Sequence, residues 1–172
     1  MGKEMQFPVK PEFTLIYEKY YDRIYKYIYM MLMNREDAED VVSDTFLRAY
    51  MHYDSFDPSL SSPATWLSRI AHNRALNHLR SSERRRRAVM PDFYEPTDPG
   101  ADIRMAGEDR EALLALYAEL SEEEREFLNF RFVMELSDAE VAEIMDISAK
   151  AVNKRYQRLL SKCREILRKK GF

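Results

Sequence analysis

Two stretches of the sequence place basic and amide side chains at helical spacing. Side chains of these types recognise a ligand by donating and accepting hydrogen bonds. The first stretch contributes Arg69, Asn73, Arg74, Asn77 and Arg80, and the second contributes Lys150, Asn153, Lys154, Gln157 and Arg158. Arginine and lysine donate hydrogen bonds to guanine O6 and N7, while asparagine and glutamine pair with adenine N6 and N7. Both stretches therefore predict binding to a nucleic acid.

The sequence lacks the patterns that enzymes need. Its four glycines form no Gly-rich loop that could cradle a phosphate, which excludes P-loop and dinucleotide-binding enzymes. The single cysteine, Cys163, falls on an inward helical stripe, and His72 and His78 are six residues apart on different helix faces. No nucleophile has a convincing general base in its pattern. We predict no enzyme activity, no catalytic residue, no metal site, no cofactor and no small-molecule substrate.

The charges are sorted along the chain, although the net charge is only -3. Residues 69–87 carry a net charge of +6 and residues 147–172 a net charge of +8, whereas residues 91–110 sum to -4 and residues 121–146 to -7. Two basic blocks separated by acidic ones predict two separate contacts with a polyanion. We expect the acidic blocks to bind a different partner.

The cellular location is predicted from the cysteine content and the apolar runs. One cysteine fits a reducing compartment. The longest clean apolar run, residues 27–33, is too short to cross a bilayer, so we expect no direct membrane insertion. A cytoplasmic protein is the resulting expectation.

Helical periodicity runs through most of the chain and predicts an all-α fold. Apolar residues recur every three or four positions over residues 13–33, and again on one face over residues 38–53. Pro63 fits the first turn of a third helix capped by Ser62. The inward positions predicted for the first helix are Phe13, Tyr17, Tyr20, Ile24, Ile28 and Met31.

The periodicity fails over residues 90–107, which contain three prolines. We interpret this segment as a flexible acidic linker. It predicts two small helical domains, residues 10–89 and residues 108–172. Within the second domain, Ser121 and Ser137 each begin a capping box, with glutamate three residues later.

The end of the second domain predicts a helix-turn-helix motif. A short capped helix, a turn at residues 146–148 and a long basic helix follow one another, and in this motif the second helix enters the major groove. Asp146 stands at the usual glycine position, and aspartate tolerates the left-handed conformation there. The alternative is a helical hairpin with a solvated basic face. The sorted charges favour DNA binding.

The second predicted helix has an acidic face with apolar members. Opposite its apolar stripe lie Glu39, Asp40, Asp44 and Arg48, with Leu47 and Met51 beside them. Apolar side chains among exposed acids are typical of a protein-binding surface rather than of a solvated helix face.

Two long segments give the chain a specific resemblance. REDAEDVVSDTFLRAY and WLSRIAHNRALNHLR resemble conserved region two of bacterial sigma factors, and LSEEEREFLNFRFVMELSDAEVAEIMDISAKAVNKRYQRLL resembles region four. In this order and spacing, they make the chain similar to the extracytoplasmic-function (ECF) group of the sigma-70 family. The resemblance implies a factor that directs core RNA polymerase to promoter DNA.

The resemblance also implies roles for the two basic stretches and the acidic face. Glu39, Asp40, Asp44, Leu47 and Arg48 would bind the clamp helices of core RNA polymerase. Arg69, Asn73, Arg74, Asn77 and Arg80 would recognise and open the -10 element, with Asn73 near a flipped-out base. Lys150, Asn153, Lys154, Gln157 and Arg158 would read the -35 element.

The family further implies an anti-sigma factor as a partner, which could hold the protein near the membrane. Two other interpretations remain open. A stand-alone helix-turn-helix regulator would form dimers and bind duplex DNA without polymerase. A helical inhibitor or adaptor would use its basic blocks to bind an acidic protein.

Overall fold

The computed structural model of the protein describes residues 10–88 and 107–172, with side chains described up to residue 82 and again from residue 111. The described part is all-α, as predicted, and contains no strand. The proposed linker, residues 90–107, lies outside the described residues except for Gly107, and so do the side chains of the arginine run at 84–87.

Seven α-helices and one short 3-10 helix form the described part. They are α1 (Pro11–Leu32), α2 (Arg35–His52), the 3-10 helix (Tyr53–Ser55), α3 (Pro63–Ala88), α4 (Gly107–Ala118), α5 (Glu122–Phe132), α6 (Asp138–Met145) and α7 (Ala149–Lys170).

The helices begin where the sequence supplies capping side chains. The Asn34 side chain accepts a hydrogen bond from the Asp37 backbone N–H at 3.0 Å, and Ser62 Oγ accepts one from Thr65 at 3.1 Å. Both predicted capping boxes are formed, at Ser121 and at Ser137. Each cap satisfies N–H groups that the first turn of a helix leaves without a partner.

The first three helices share one core. The helices α1, α2 and α3 pack against one another, and Ile24 and Ile28 of α1, Val42 of α2 and Leu67 of α3 are all almost fully buried. This core places the solvent-facing sides of α2 and α3 next to each other. It therefore fixes the relative position of the acidic face and the first basic stretch.

The predicted inward position of Tyr17 is wrong. Its side chain is 41% exposed, and its ring packs edge-on against Phe46 at 4.7 Å between centroids. The α1 stripe that meets α2 and α3 runs through Tyr20, Ile24 and Ile28, which leaves Tyr17 at the border of the core.

The last four helices build a second core around aromatic and β-branched residues. Phe127 of α5, Val141 of α6 and Val152 of α7 are almost fully buried, the rings of Phe127 and Tyr156 meet edge-on with centroids 5.4 Å apart, and the Tyr156 hydroxyl donates to the Phe127 carbonyl oxygen at 2.7 Å. Burial raises the pKa of Tyr156 well above the usual tyrosine value, so the hydroxyl keeps its proton.

The two cores meet at a shared surface, with α5 against α1 and α6 against α3. The ring of Tyr27 stacks on that of Phe130, with centroids 5.3 Å apart. Among the described helices, none is long and apolar enough to cross a membrane.

Candidate nucleic-acid and partner interfaces

The turn between α6 and α7 has the geometry of a helix-turn-helix. Asp146 adopts φ 53° and ψ 46°, and its backbone N–H bonds to the Ala142 carbonyl oxygen. Ser148 then caps α7 by accepting a hydrogen bond from Ala151 N–H at 3.1 Å. The prediction that aspartate supports a left-handed turn at this position is confirmed.

The outer face of α7 brings the second basic stretch together. Val152 and Tyr156 hold the inner face of α7 in the core, so the residues between them point outward. The exposed set is Lys150, Asn153, Lys154, Gln157 and Arg158. Asn153 Nδ2 donates to Asp138 Oδ2 at 3.2 Å, which orients this amide near the start of the exposed face.

Four of the five predicted residues of α3 share one exposed stripe. Arg69, Asn73, Asn77 and Arg80 are all exposed. At about 100° per residue, these four fall within a sector of roughly 80°, whereas Arg74 lies about 140° from Arg69. The structure thus separates Arg74 from the predicted set, and the helical period explains why.

Arg74 is instead directed at α2, where its Nε atom forms an ion pair with Asp44. Asp44 also accepts a hydrogen bond from Arg48 Nε at 3.1 Å. A groove of about 440 Å³ runs along this junction, lined by Asp40, Val41, Asp44, Arg74, Asn77, His78 and Ser81. Predicted polymerase-binding and DNA-binding residues therefore share one groove.

The acidic face of α2 keeps its apolar members in solvent. Leu47 is 45% exposed and Met51 is 63% exposed, and Glu39 and Asp40 are exposed beside them. The prediction that Leu47 and Met51 lie outside the buried stripe is confirmed. An exposed apolar pair bordered by carboxylates is suited to a basic partner that carries its own apolar side chains.

Cys163, His72 and His78 have partners within the fold. Burial, with the nearby Glu124 carboxylate, raises the pKa of the Cys163 thiol, which disfavours the reactive thiolate. His72 lies beside Glu126 and His78 beside Asp37. In residues 10–88 and 107–172, no group of three histidine, cysteine or acidic side chains could hold a metal ion.

Sequence reasoning missed a set of acidic residues that contact the other half of the chain. Glu126 is 2% exposed and accepts a hydrogen bond from the Tyr27 hydroxyl. Burial, together with this carboxylate, raises the pKa of Tyr27 well above its usual value. A signal was available, because Glu126 and Asn129 flank Phe127 and Phe130 on the buried side of α5. Polar residues on an apolar stripe indicate a partner across the interface.

Comparison with protein families identifies both halves of the chain. The family model for sigma-70 region 2 matches residues 16–85, and that for sigma-70 region 4 matches residues 110–163. The ECF RNA polymerase sigma factor SigM of Bacillus subtilis is 30% identical over 135 residues, covering 77% of this chain and 81% of that protein. BldN of Streptomyces coelicolor, another ECF sigma factor, is 32% identical over 136 residues.

The alignment with BldN covers 77% of this chain and 52% of that protein, so the chain spans about half the length of this relative. A solved structure shares the fold. It is the sigma factor RpoE in complex with the anti-sigma factor NepR from Bartonella quintana, with a TM-score of 0.79, 21% identity, and coverage of 92% of this chain and 98% of that one. The two family-model matches and the identity to SigM lead to the same assignment. The chain belongs to the ECF group of the sigma-70 family.

Proposed function

We propose that this chain binds core RNA polymerase and directs it to promoters by reading a -35 element with α7 and a -10 element with α3. One observation carries the proposal. A helix-turn-helix with an exposed reading face and a second exposed basic stripe occur together with an acidic, partly apolar face on α2. The boundaries proposed for the two domains are residues 10–89 and 108–172, joined by residues 90–107.

The -35 step uses the exposed face of α7. Lys150, Lys154 and Arg158 are positioned for phosphates or guanine edges, and Asn153 and Gln157 for adenine. The Arg155 guanidinium lies over the Phe127 ring and pairs with Glu123. Arg155 is therefore held beside the reading face and is not among the proposed contacts.

The -10 step uses the stripe of Arg69, Asn73, Asn77 and Arg80. Exposed amides between arginines suit a strand whose bases have left the stack, because amides bond base edges while guanidinium groups hold phosphates. Capturing an extruded base offsets part of its unstacking cost, which is typically a few kcal/mol. The chain would aid promoter opening by this capture and needs no covalent chemistry.

The polymerase step uses the α2 face of Glu39, Asp40, Asp44, Leu47 and Arg48. Fully burying an exposed leucine stabilises a complex by about 1.5–3 kcal/mol. The carboxylates would accelerate encounter with a basic surface and set its orientation. In the similar structure from Bartonella quintana the sigma factor is bound to an anti-sigma factor, so we also propose an anti-sigma partner that acts in the cytoplasm.

Run-off transcription tests the proposal. Purified chain is added to bacterial core polymerase over fragmented genomic DNA from its own source. Discrete transcripts that require the chain are the expected result. Duplex binding by the chain alone, as a dimer and without transcripts, would support the stand-alone regulator instead. Absence of both transcripts and DNA binding would support the adaptor.

Paired variants locate each contact. Leu47→Asp should weaken polymerase binding, whereas Leu15→Asp should not, since Leu15 is also exposed (67%, against 45% for Leu47) but lies on α1. Lys154→Ala should weaken -35 binding, whereas Lys169→Ala should not, because Lys169 pairs with Glu165 at the far end of α7. Equal effects within either pair would contradict the assigned faces.

A further inference from the structure

The amide of Asn153 is held by a carboxylate of the neighbouring helix. Asn153 Nδ2 donates to Oδ2 of Asp138 at 3.2 Å, and Asp138 is the first residue of α6. Because an ionised carboxylate accepts hydrogen bonds and donates none, the Asn153 amide has to turn its nitrogen, and not its oxygen, toward Asp138. The orientation of this amide is therefore set by a residue outside α7.

Asp138 is itself held in place by a second partner. Arg131 Nη1 donates to Asp138 Oδ1 at 2.7 Å, so each oxygen of this carboxylate accepts from a different residue. The Arg131 guanidinium lies over the Tyr156 ring, 4.9 Å from its centroid, and Tyr156 is buried. A series of contacts thus runs from the core through Arg131 and Asp138 to the exposed amide of Asn153.

The contact with Asp138 limits what the Asn153 amide can recognise. It occupies one N–H group and leaves the other N–H group and the Oδ1 oxygen for a ligand. In the major groove, adenine presents the acceptor N7 beside the donor N6, whereas guanine presents two acceptors, N7 and O6. One donor beside one acceptor matches adenine with two hydrogen bonds and matches guanine, cytosine or thymine with one. The held amide is therefore suited to adenine.

An acidic side chain beside a DNA-binding face has a cost, because it repels the phosphates. The ion pair with Arg131 offsets the charge of Asp138, whose side chain is only 25% exposed. An asparagine without such a neighbour rotates its amide and presents either the oxygen or the nitrogen to a base. The carboxylate thus adds nothing to the attraction for DNA, but it removes this freedom from Asn153.

We propose that Asp138 is a positioning residue for base recognition, which fixes the Asn153 amide so that α7 selects adenine at one position of the -35 element. The inference rests on the proposed function for the contact between α7 and DNA. It adds the base that is selected and the residue that determines the selection. Asp138 acts through Asn153 and makes no base contact of its own.

Competition binding with the complex of this chain and core polymerase tests the selection. The probes are duplexes of a promoter mapped by run-off transcription, in which each -35 position carries each of the four base pairs in turn. The position at which Asn153→Ala loses discrimination is the Asn153 position. There the parent should prefer adenine over guanine by about 5- to 150-fold, the range for a bidentate contact. A preference for guanine at this position would overturn the proposal.

Asp138→Ala then tests positioning. It should lower the adenine preference at the Asn153 position by at least about twofold, the lower limit for residues coupled in one hydrogen-bond network, and leave other positions unchanged. Ser137 still caps α6, and circular dichroism verifies the helices. The matched control is Glu143→Ala, because Glu143 is an acid of the same helix that pairs with Arg69 instead of α7. It should change the affinity for all duplexes alike and preserve the adenine preference.

A double variant separates positioning from a purely structural role. If Asp138 acts only through Asn153, adding Asp138→Ala to Asn153→Ala leaves the base preference at every position unchanged. A further change in the double variant, or the parental preference in Asp138→Ala alone, would overturn the proposal. If Lys154→Ala weakens binding but no position responds to Asn153→Ala, the inference fails and the proposed function stands. If neither variant affects DNA binding, both fail.

Discussion

Helices α3 and α7 carry similar sets of basic and amide residues, but the fold uses their charges differently. The α7 set lies on one exposed face of a helix that packs on its opposite side. Helix α7 packs against α4, α5 and α6, and α3 packs against α1, α2 and α6. Two arginines of the predicted α3 set form ion pairs with neighbouring helices, Arg69 with Glu143 and Arg74 with Asp44. In the α7 set the uncharged amide of Asn153 bonds to Asp138.

The difference shows what a basic stretch in a sequence can mean. A basic side chain that points away from the neighbouring helices is available to a polyanion. One that lies beside an acid of a neighbouring helix is shared with that acid, as Arg69 is on α3 and Arg155 is on α7. For α7, periodicity alone identifies the binding face. For α3, the same reasoning identifies the stripe but not which arginines are already paired.

The largest effect is expected on the free energy of unfolding, when a buried side chain of α3 or α7 is truncated. Leu67 and Val152 are both fully buried, under α3 and α7 respectively. Leu67→Ala should lower the free energy of unfolding by about 2–5 kcal/mol through the cavity it leaves. Chemical denaturation followed by the fluorescence of Trp66, the single tryptophan, reports this half of the chain.

Val152→Ala is the matched change in the other half. Its unfolding transition should shift when followed by circular dichroism. A shift of the Trp66 fluorescence transition equal to the shift seen by circular dichroism would show that the halves unfold together. The two cores would then not be independent.

Variants of one asparagine on each helix test whether α3 and α7 both contact bases. Asn73→Ala should lower open-complex formation, and Asn153→Ala should relax discrimination at one -35 base pair by about 1–3 kcal/mol, the value of a bidentate base contact. Permanganate footprinting and competition binding measure these two effects. Polymerase affinity should be unchanged in both variants. Weak polymerase binding by Asn73→Ala would contradict the assignment of α3 to the DNA interface.

The turn before α7 offers a stabilising change. Asp146 has φ 53°, and a residue with a side chain in this left-handed region carries a cost of about 1–2 kcal/mol that glycine avoids. Asp146→Gly should raise the free energy of unfolding by about 1 kcal/mol, as seen in a higher denaturation midpoint, with DNA affinity unchanged. Asp146→Ala should lower it. Equal midpoints for the two variants would refute the strain argument.

The smallest expected effect is a pH dependence of stability. Burial alone would raise the pKa of Glu140, but hydrogen bonds from the Ser137 backbone N–H and from the Thr65, Ser137 and Ser62 hydroxyls lower it below its usual value. A lowered pKa contributes stability above pH 4.5, which is lost as the pH falls through the folded value. The free energy of unfolding, measured by chemical denaturation at a series of pH values, should therefore decrease below about pH 4.5 more in the parent than in Glu140→Gln. Parallel pH curves for the two proteins would contradict this role of the Glu140 carboxylate.

Much of the fold follows from local sequence. Periodicity defined the buried stripes of α2 and α7, and the Ser-x-x-Glu patterns located both capping boxes because caps depend on residues three apart. The all-α fold and the family are confirmed. The exposure of Leu47 and Met51 also followed from their places outside the stripe. Roles in DNA and polymerase binding stay predictions.

What the sequence did not reveal depends on contacts between distant residues. Tyr27 and Glu126 are 99 positions apart, and Thr65 and Glu140 are 75 apart. No local pattern pairs such residues, because the pairing arises from the docking of two complete cores. The outward position of Tyr17 likewise depends on where α2 crosses α1. Only the placement of Arg74 was recoverable from the helical period.

The capping box of α6 also makes a contact between the two halves of the chain. Glu140 holds the start of its own helix through Ser137, while the hydroxyl groups of Thr65 and Ser62 on the other half donate to the same carboxylate. The stability of a helix start and the contact between the two halves therefore depend on one side chain. A change of Glu140 would weaken both at once, whereas loss of the Thr65 hydroxyl would weaken only the contact between the halves.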